Sequence, residues 1–178
     1  YRLAYSVFAC SGILFNHESP LRGSQFVTRK ITGGLARIRM DGGEPIQLGN
    51  LDSRRDWGYA KDFVEAMWLM LQAEHPRDYV LATGTTNSVR DFCELAARAA
   101  GFDIHWQIDG SRELGIDIET GTVIFNSEAA RFRPNDAPCR IGSPARAVRE
   151  LGWQPSVRAP DLARLMMEAE MQQMDVRA

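Results

Sequence analysis

Apolar residues along the chain recur at two spacings. Val27, Ile31, Leu35 and Ile38 stand at i, i+4, i+8 and i+11, which predicts a helix over Phe26 to Met40. Phe63, Val64, Met67, Trp68, Met70 and Leu71 form the apolar side of a second helix, Lys61 to Ala73. A third carries Phe92, Leu95, Ala96 and Ala99. It opens on Ser88-Val-Arg-Asp91, the pattern of a capping box, and stops at Gly101. Ser143-Pro144 starts a short helix that ends at Leu151-Gly152, and Leu162, Leu165, Met166 and Ala169 mark a final one from Asp161. Shorter apolar runs predict strands at Ile13–Asn16, Pro45–Leu48, Tyr79–Ala82 and Asp103–Ile108. Gly115 to Phe125 predicts a hairpin turning at Thr120-Gly121. Strands alternate with helices, so the fold class is α/β. The first and third of these strands are expected to be buried in one incomplete parallel sheet that leaves apolar surface open. Residues 17–24 and 49–58 read as polar loops. Gly33-Gly34 weakens the first helix by about 1 kcal/mol per glycine, which predicts close packing or a break there. Tyr1 to Phe8 reads as the last turns of a helix feeding straight into a strand, so the 178 residues are expected to be a piece of a longer protein, with the rest N-terminal.

Composition narrows the classes. Apolar residues make up 44% and charged residues 25%, the balance of a soluble globular chain rather than a disordered or fibrous one. Lys plus Arg number 21 against 23 Asp plus Glu, so the positive excess of a general nucleic-acid or anionic-membrane binder is missing. Among the basic residues only Lys30 and Lys61 are lysines. Arginine is the better bidentate partner for phosphate, although codon usage explains such a bias equally well. The three cysteines, Cys10, Cys93 and Cys139, form no Cys-x-x-Cys pair, and no apolar run approaches the ~20 residues of a membrane span. A reducing cytoplasm fits this usage.

Several chemistries are absent from the sequence. There is no Gly-x-Gly-x-x-Gly, no Walker A loop and no Gly-x-Ser-x-Gly. His17, His75 and His105 lack metal-ligand spacing, and none of the four tyrosines has a lysine four residues on. What remains is a set of loops able to bind anions. Asn16 and Arg22 follow a strand, where ligands of open α/β sheets sit. Arg54 and Arg55 stand beside Trp57, and two adjacent arginines can clamp a pyrophosphate. In Arg131-Phe-Arg-Pro-Asn-Asp136, Arg133 can meet a phosphate and Asp136 a ribose diol. Taken singly, each loop is equally well explained as solvated or salt-bridged.

Read together, the motifs resemble a family. Gly12-Ile-Leu-Phe-Asn-His-Glu-Ser-Pro20, Phe26-Val-Thr-Arg-Lys-Ile-Thr32, Leu48-Gly-Asn-Leu-Asp52, Arg55-Asp-Trp-Gly58, Asp62 to Leu71, Tyr79 to Gly84, Ser88 to Leu95 and Leu151-Gly-Trp153 resemble, in order, the GDP-mannose 4,6-dehydratases. These are extended short-chain dehydrogenases/reductases. The resemblance implies the C-terminal portion of such a fold: the last elements of a Rossmann-type parallel sheet (13–24 and 59–84) plus a small α+β substrate-binding lobe (25–58 and 85–178). It implies NADP contacts at His17 and Arg22, contacts to the GDP part at Asn16, Val27 and Lys30, diphosphate contacts at Arg55 and Arg133, and a ribose contact at Asp136. Asp136-Ala-Pro138 stands where the family has Glu-Val-Asp, which shortens the acid and removes a backbone donor. Leu21 replaces a common arginine.

The implied reaction is a redox-neutral dehydration of GDP-mannose to GDP-4-keto-6-deoxymannose, a step that serves GDP-fucose biosynthesis. NADP takes hydride from C4 and returns it to C6 after water has left. The family's Tyr-x-x-x-Lys pair and its catalytic Thr and Glu have no counterpart here, so no catalytic residue is carried over and the 178 residues alone are expected to be inactive. The resemblance further implies a cytoplasmic homodimer or homotetramer acting on a small molecule, with no nucleic-acid or membrane partner and no metal. Two alternatives stand beside it: an epimerase or dehydratase for a UDP- or dTDP-sugar, and a catalytically inactive nucleotide-sugar binder.

Overall fold

The computed structural model describes residues 1–132 and 137–176. A short helix α1 (Arg2–Tyr5) precedes strands β1 (Ser11–Leu14) and β2 (Asn16–Glu18), then helix α2 (Val27–Asp41) and strand β3 (Ile46–Leu48). Next come β4 (Arg54–Arg55), β5 (Trp57–Tyr59), helix α3 (Ala60–Gln72) and β6 (Asp78–Leu81). β7 (Asn87–Ser88) leads into α4 (Val89–Ala99), followed by β8 (Ile104–Asp109), β9 (Arg112–Asp117) and β10 (Val123–Glu128). After β11 (Cys139–Arg140) the chain ends with helices α5 (Ala145–Leu151) and α6 (Ala159–Asp175).

β1 pairs parallel with β6, from Ser11 opposite Asp78 to Leu14 opposite Leu81. The chain then steps sideways. Phe15 N–H donates to the Leu81 carbonyl (2.9 Å), and β2 pairs parallel with β5. A second sheet has the order β3-β10-β9-β8, in which β3 runs parallel to β10 and the rest are antiparallel. A third, small sheet joins β11, β4 and β7.

Two apolar cores hold these layers. In the larger, Ile31, Leu35, Phe92, Phe125, Leu162 and Met166 from α2, α4, α6 and the β3–β10 sheet are wholly buried. Each such side chain contributes about 1.5–3 kcal/mol by leaving water. In the smaller, Phe63, Met70, Tyr79, Leu81 and Trp153 pack α3 against β6 and the end of α5. The Trp153 indole N–H donates to the Asp62 carbonyl (2.8 Å), and the Asp62 carboxylate accepts from Ser156 N–H, Ser156 Oγ and Val157 N–H. That pins the turn before α6 to the start of α3.

Local signals acted as the sequence predicts at several points. Ser88 Oγ accepts from Asp91 N–H (3.0 Å) and Asp91 Oδ2 from Ser88 N–H (2.8 Å), the reciprocal pair of a capping box. Helix α2 runs unbroken through Gly33-Gly34. A Cβ on Gly34 would lie 2.6 Å from the Ile46 side chain, so the residue permits close approach of α2 to β3. Cys93 is buried in the larger core, which pushes its thiol up, away from reactivity.

Elsewhere the structure departs from the prediction. β1 shares a parallel sheet with β6 as expected, but it is not buried: Ile13 is 55% exposed. The predicted strand Ile13–Asn16 divides at Phe15, and both predicted loops contain strands, β2 in the first and β4 and β5 in the second. These two- and three-residue strands draw their hydrogen bonds from segments far along the chain, so no local periodicity marks them. On α3 only Phe63, Ala66 and Met70 of the apolar residues are buried, while Val64 and Trp68 are each 60% exposed. The predicted apolar stripe is wider than the surface that covers it.

Candidate anion-binding clefts

Two clefts meet at Asn16, just beyond the carboxyl end of β1. The larger has a volume of ≈ 630 Å³ and lies between the start of α2, the end of β3, and β4 with β11. The smaller, ≈ 390 Å³, is lined by Leu14 to His17, Arg22 and Arg140. The place obeys the general rule for open α/β sheets, where ligands sit off the carboxyl ends of strands.

Chain geometry sets each side chain on the smaller cleft. His17 Nδ1 lies 2.8 Å from the Phe15 carbonyl. A carbonyl only accepts, so Nδ1 carries the proton and Nε2 is left for other partners. The ring stacks on Phe63, with centroids 5.1 Å apart. Arg22 is held on two sides: its Nε lies 3.1 Å from Glu18 Oε2 and its guanidinium covers the Phe26 ring, 3.4 Å from the centroid. Glu18 is buried and accepts from Thr28 Oγ1 (2.7 Å). Burial raises its carboxyl above the ordinary range, against the opposing pull of the Thr28 bond and the Arg22 charge. Arg29 fastens this loop to the body by donating to the Pro20 and Arg22 carbonyls and pairing with Glu170 of α6.

Among the described residues the larger cleft is cationic: its lining includes Lys30, Arg55, Arg131 and Arg140 and one carboxylate, Glu18. That local excess stands in a chain whose net charge is -2. Val27 and Lys30 come from the first turn of α2, whose N-cap residue Phe26 provides no side-chain cap, so the positive end of the helix lies at the cleft. Partial desolvation and the neighbouring Arg131 hold the Lys30 ammonium below the ordinary lysine range. Arg55 Nη1 donates to the Arg54 carbonyl (2.7 Å) and the Ala137 carbonyl (2.8 Å). The carboxylates next to it in sequence are engaged elsewhere. Asp52 pairs with Arg90, and Asp56 is buried among Thr83, Gly84 and Gly142.

The structure thus gathers Asn16, Val27, Lys30 and Arg55 on one cleft and Asn16, His17 and Arg22 on the other. Arg133 and Asp136 lie outside the described residues. Sequence reasoning left out Arg131 and Arg140. Arg131 stands beside Arg133 in the motif and was within reach of that reading. No sequence signal singles out Arg140, which arrives only through the pairing of β11 with β4. Among the described residues no group of three or more His, Cys, Asp or Glu can hold a metal, and no helix is long and apolar enough to cross a membrane.

Known proteins share this fold. At 18% identity, a protein called RMD from Pseudomonas aeruginosa, solved with NADPH, superposes with a TM-score of 0.78 over 97% of this chain and 51% of its own. A UDP-glucose 4-epimerase from Thermotoga maritima, solved with UDP-glucose, gives 0.73 at 18% identity, over 97% of this chain and 49% of its own. The chain therefore has the α/β fold of these proteins and covers about half of each. Curated relatives are nearer in sequence. A GDP-mannose 4,6 dehydratase from Drosophila melanogaster is 49% identical over 98% of this chain and 44% of its own length. Human GDP-mannose 4,6 dehydratase is 45% identical over 98% and 47%, and the Sinorhizobium fredii enzyme 46% over 96% and 49%. The chain spans about half the length of the curated relatives it matches. The family model described as GDP-mannose 4,6 dehydratase matches residues 1–166, and the chain belongs to that family.

Proposed function

We propose that these residues form the GDP-sugar-binding side of a lyase that converts GDP-mannose to GDP-4-keto-6-deoxymannose. The observation that carries this reading is the larger cleft, where among the described residues four cations meet one carboxylate beside Asn16 and the open end of α2. Its volume suits a nucleotide sugar. Arg55 and Arg133 hold the diphosphate, Asn16, Val27 and Lys30 the rest of the GDP, and Asp136 the ribose. Binding energy gathered on the nucleotide then positions the sugar, whose reacting carbons lie far from these contacts.

The cofactor in this reading is NADP, which when bound exchanges a hydride with the sugar. His17 and Arg22 fit one wall of its site. The Phe15 carbonyl fixes the His17 ring with Nε2 left over, and Glu18 and Phe26 fix the Arg22 plane. The proton-transfer pair Tyr-x-x-x-Lys is absent from this sequence, and we assign it to sequence outside these 178 residues. A cytoplasmic homodimer or homotetramer completes the proposal.

Full-length protein given GDP-mannose and NADP+ is expected to release a product lighter by one water, seen by mass spectrometry. Turnover of a UDP- or dTDP-sugar with no reaction of GDP-mannose would overturn the assignment. The 178 residues alone are expected to convert no GDP-mannose, and measurable conversion by them would refute the external origin of the catalytic pair. His17→Ala is expected to weaken NADP binding by roughly 2- to 10-fold, the value of one hydrogen bond of about 0.5–1.5 kcal/mol. GDP affinity should hardly move, and calorimetric titration with each ligand separates the two effects. An equal loss for both ligands would remove His17 from the cofactor wall.

A further inference from the structure

Arg140 and Arg55 are direct partners in the parallel pairing of β11 with β4. Partners in register place their side chains on the same face, with backbones about 4.8 Å apart. The two arginine side chains therefore leave the same face of the strand pair, and both line the larger cleft. The backbone of Arg140 is fixed, since its carbonyl accepts from Asp56 N–H (3.0 Å), and Asp56 is itself buried and fully bonded. The side chain of Arg140 is exposed and makes no hydrogen bond or ion pair among the described residues. Most other arginines nearby are occupied: Arg54 with Thr86, Arg22 with Glu18, Arg90 with Glu113. Arg140 is also the one charged residue that lines both clefts among the described residues. Two like charges held in register on a pair of strands, with Arg140 making no ion pair among the described residues, form an arrangement that an anion relieves.

We propose that Arg140 is a phosphate-binding residue of the nucleotide-sugar site, a guanidinium beside Arg55 that grips the diphosphate where the two clefts meet. This rests on the GDP-sugar reading above, and it adds a contact that no motif in the sequence marks. A guanidinium acting on phosphate serves GDP and is indifferent to guanosine, whereas a merely structural arginine treats both alike.

The test is titration calorimetry of the full chain with GDP and with guanosine, for the wild type, Arg140→Gln and Arg140→Glu. Arg112→Gln, on an exposed hairpin where Arg112 pairs with Asp109, serves as a charge control. Arg140→Gln is expected to raise the GDP dissociation constant about 10-fold, Arg140→Glu more, and neither should change guanosine binding or the melting temperature by much. Arg112→Gln should bind GDP like the wild type. Failure of the wild type to bind GDP would bring down the GDP-sugar reading and this assignment with it. Normal GDP binding by the wild type together with unchanged affinity in both Arg140 variants would overturn the assignment alone. So would an equal loss of GDP and guanosine binding.

Discussion

Asp56→Ala is expected to destabilise the protein by about 3–5 kcal/mol, a large effect for a single substitution. Asp56 is completely buried. Its Oδ1 accepts from Thr83 N–H (2.8 Å) and Thr83 Oγ1 (2.7 Å), and its Oδ2 from Gly84 N–H (3.0 Å) and Gly142 N–H (3.3 Å). One carboxylate thus joins the turn after β6 to the segment after β11. Hydrogen bonds to a charged group contribute about 1.5–3 kcal/mol each, and every buried donor stranded by its loss costs about 1–3 kcal/mol. Relaxation and entering water keep the total below the simple sum. With about 2–4 °C lost per kcal/mol in a chain of this size, the melting temperature should fall by roughly 6–20 °C. Asp56→Asn keeps one acceptor oxygen and should cost less. A thermal scan in which Asp56→Ala melts within a degree or two of the wild type would show that Thr83, Gly84 and Gly142 are held by other means.

Arg55→Ala should act on binding instead. The expected outcome is a GDP dissociation constant raised roughly 10- to 150-fold, the loss of a charge-assisted contact of about 1.5–3 kcal/mol, with NADP affinity little changed. Arg133→Ala should behave alike. If both arginines hold one diphosphate, the double variant should lose less than the two single losses together. Arg55 also straps the 137 carbonyl to β4, which is a competing role for the same side chain. Calorimetry and melting curves tell them apart: a lowered melting temperature with unchanged GDP affinity would leave Arg55 as a strap and remove it from the diphosphate site.

The chain's own pattern determined its helices and its hairpin. The spacing of Val27, Ile31, Leu35 and Ile38 placed α2 to within a residue at each end, Ser88 and Asp91 marked the start of α4, and Thr120-Gly121 marked the turn between β9 and β10. Such signals are local: a capping side chain reaches three residues, and an amphipathic stripe repeats every turn. Loop position beside a strand or a tryptophan pointed to Asn16, Arg22 and Arg55, whereas His17, Val27 and Lys30 came only from the resemblance to a family's motifs. Tertiary structure alone decided the rest. β2 needs β5, and β4 needs β7 and β11, to satisfy their backbones, and these partners are dozens of residues apart. Gly34 is a glycine because Ile46 arrives against it from another element. Arg140 reaches the clefts only because its strand pairs with that of Arg55. Arg55 and Arg140 thus come together through long-range pairing, in which hydrogen bonds between distant segments, rather than any spacing along the chain, set both charges on one cavity.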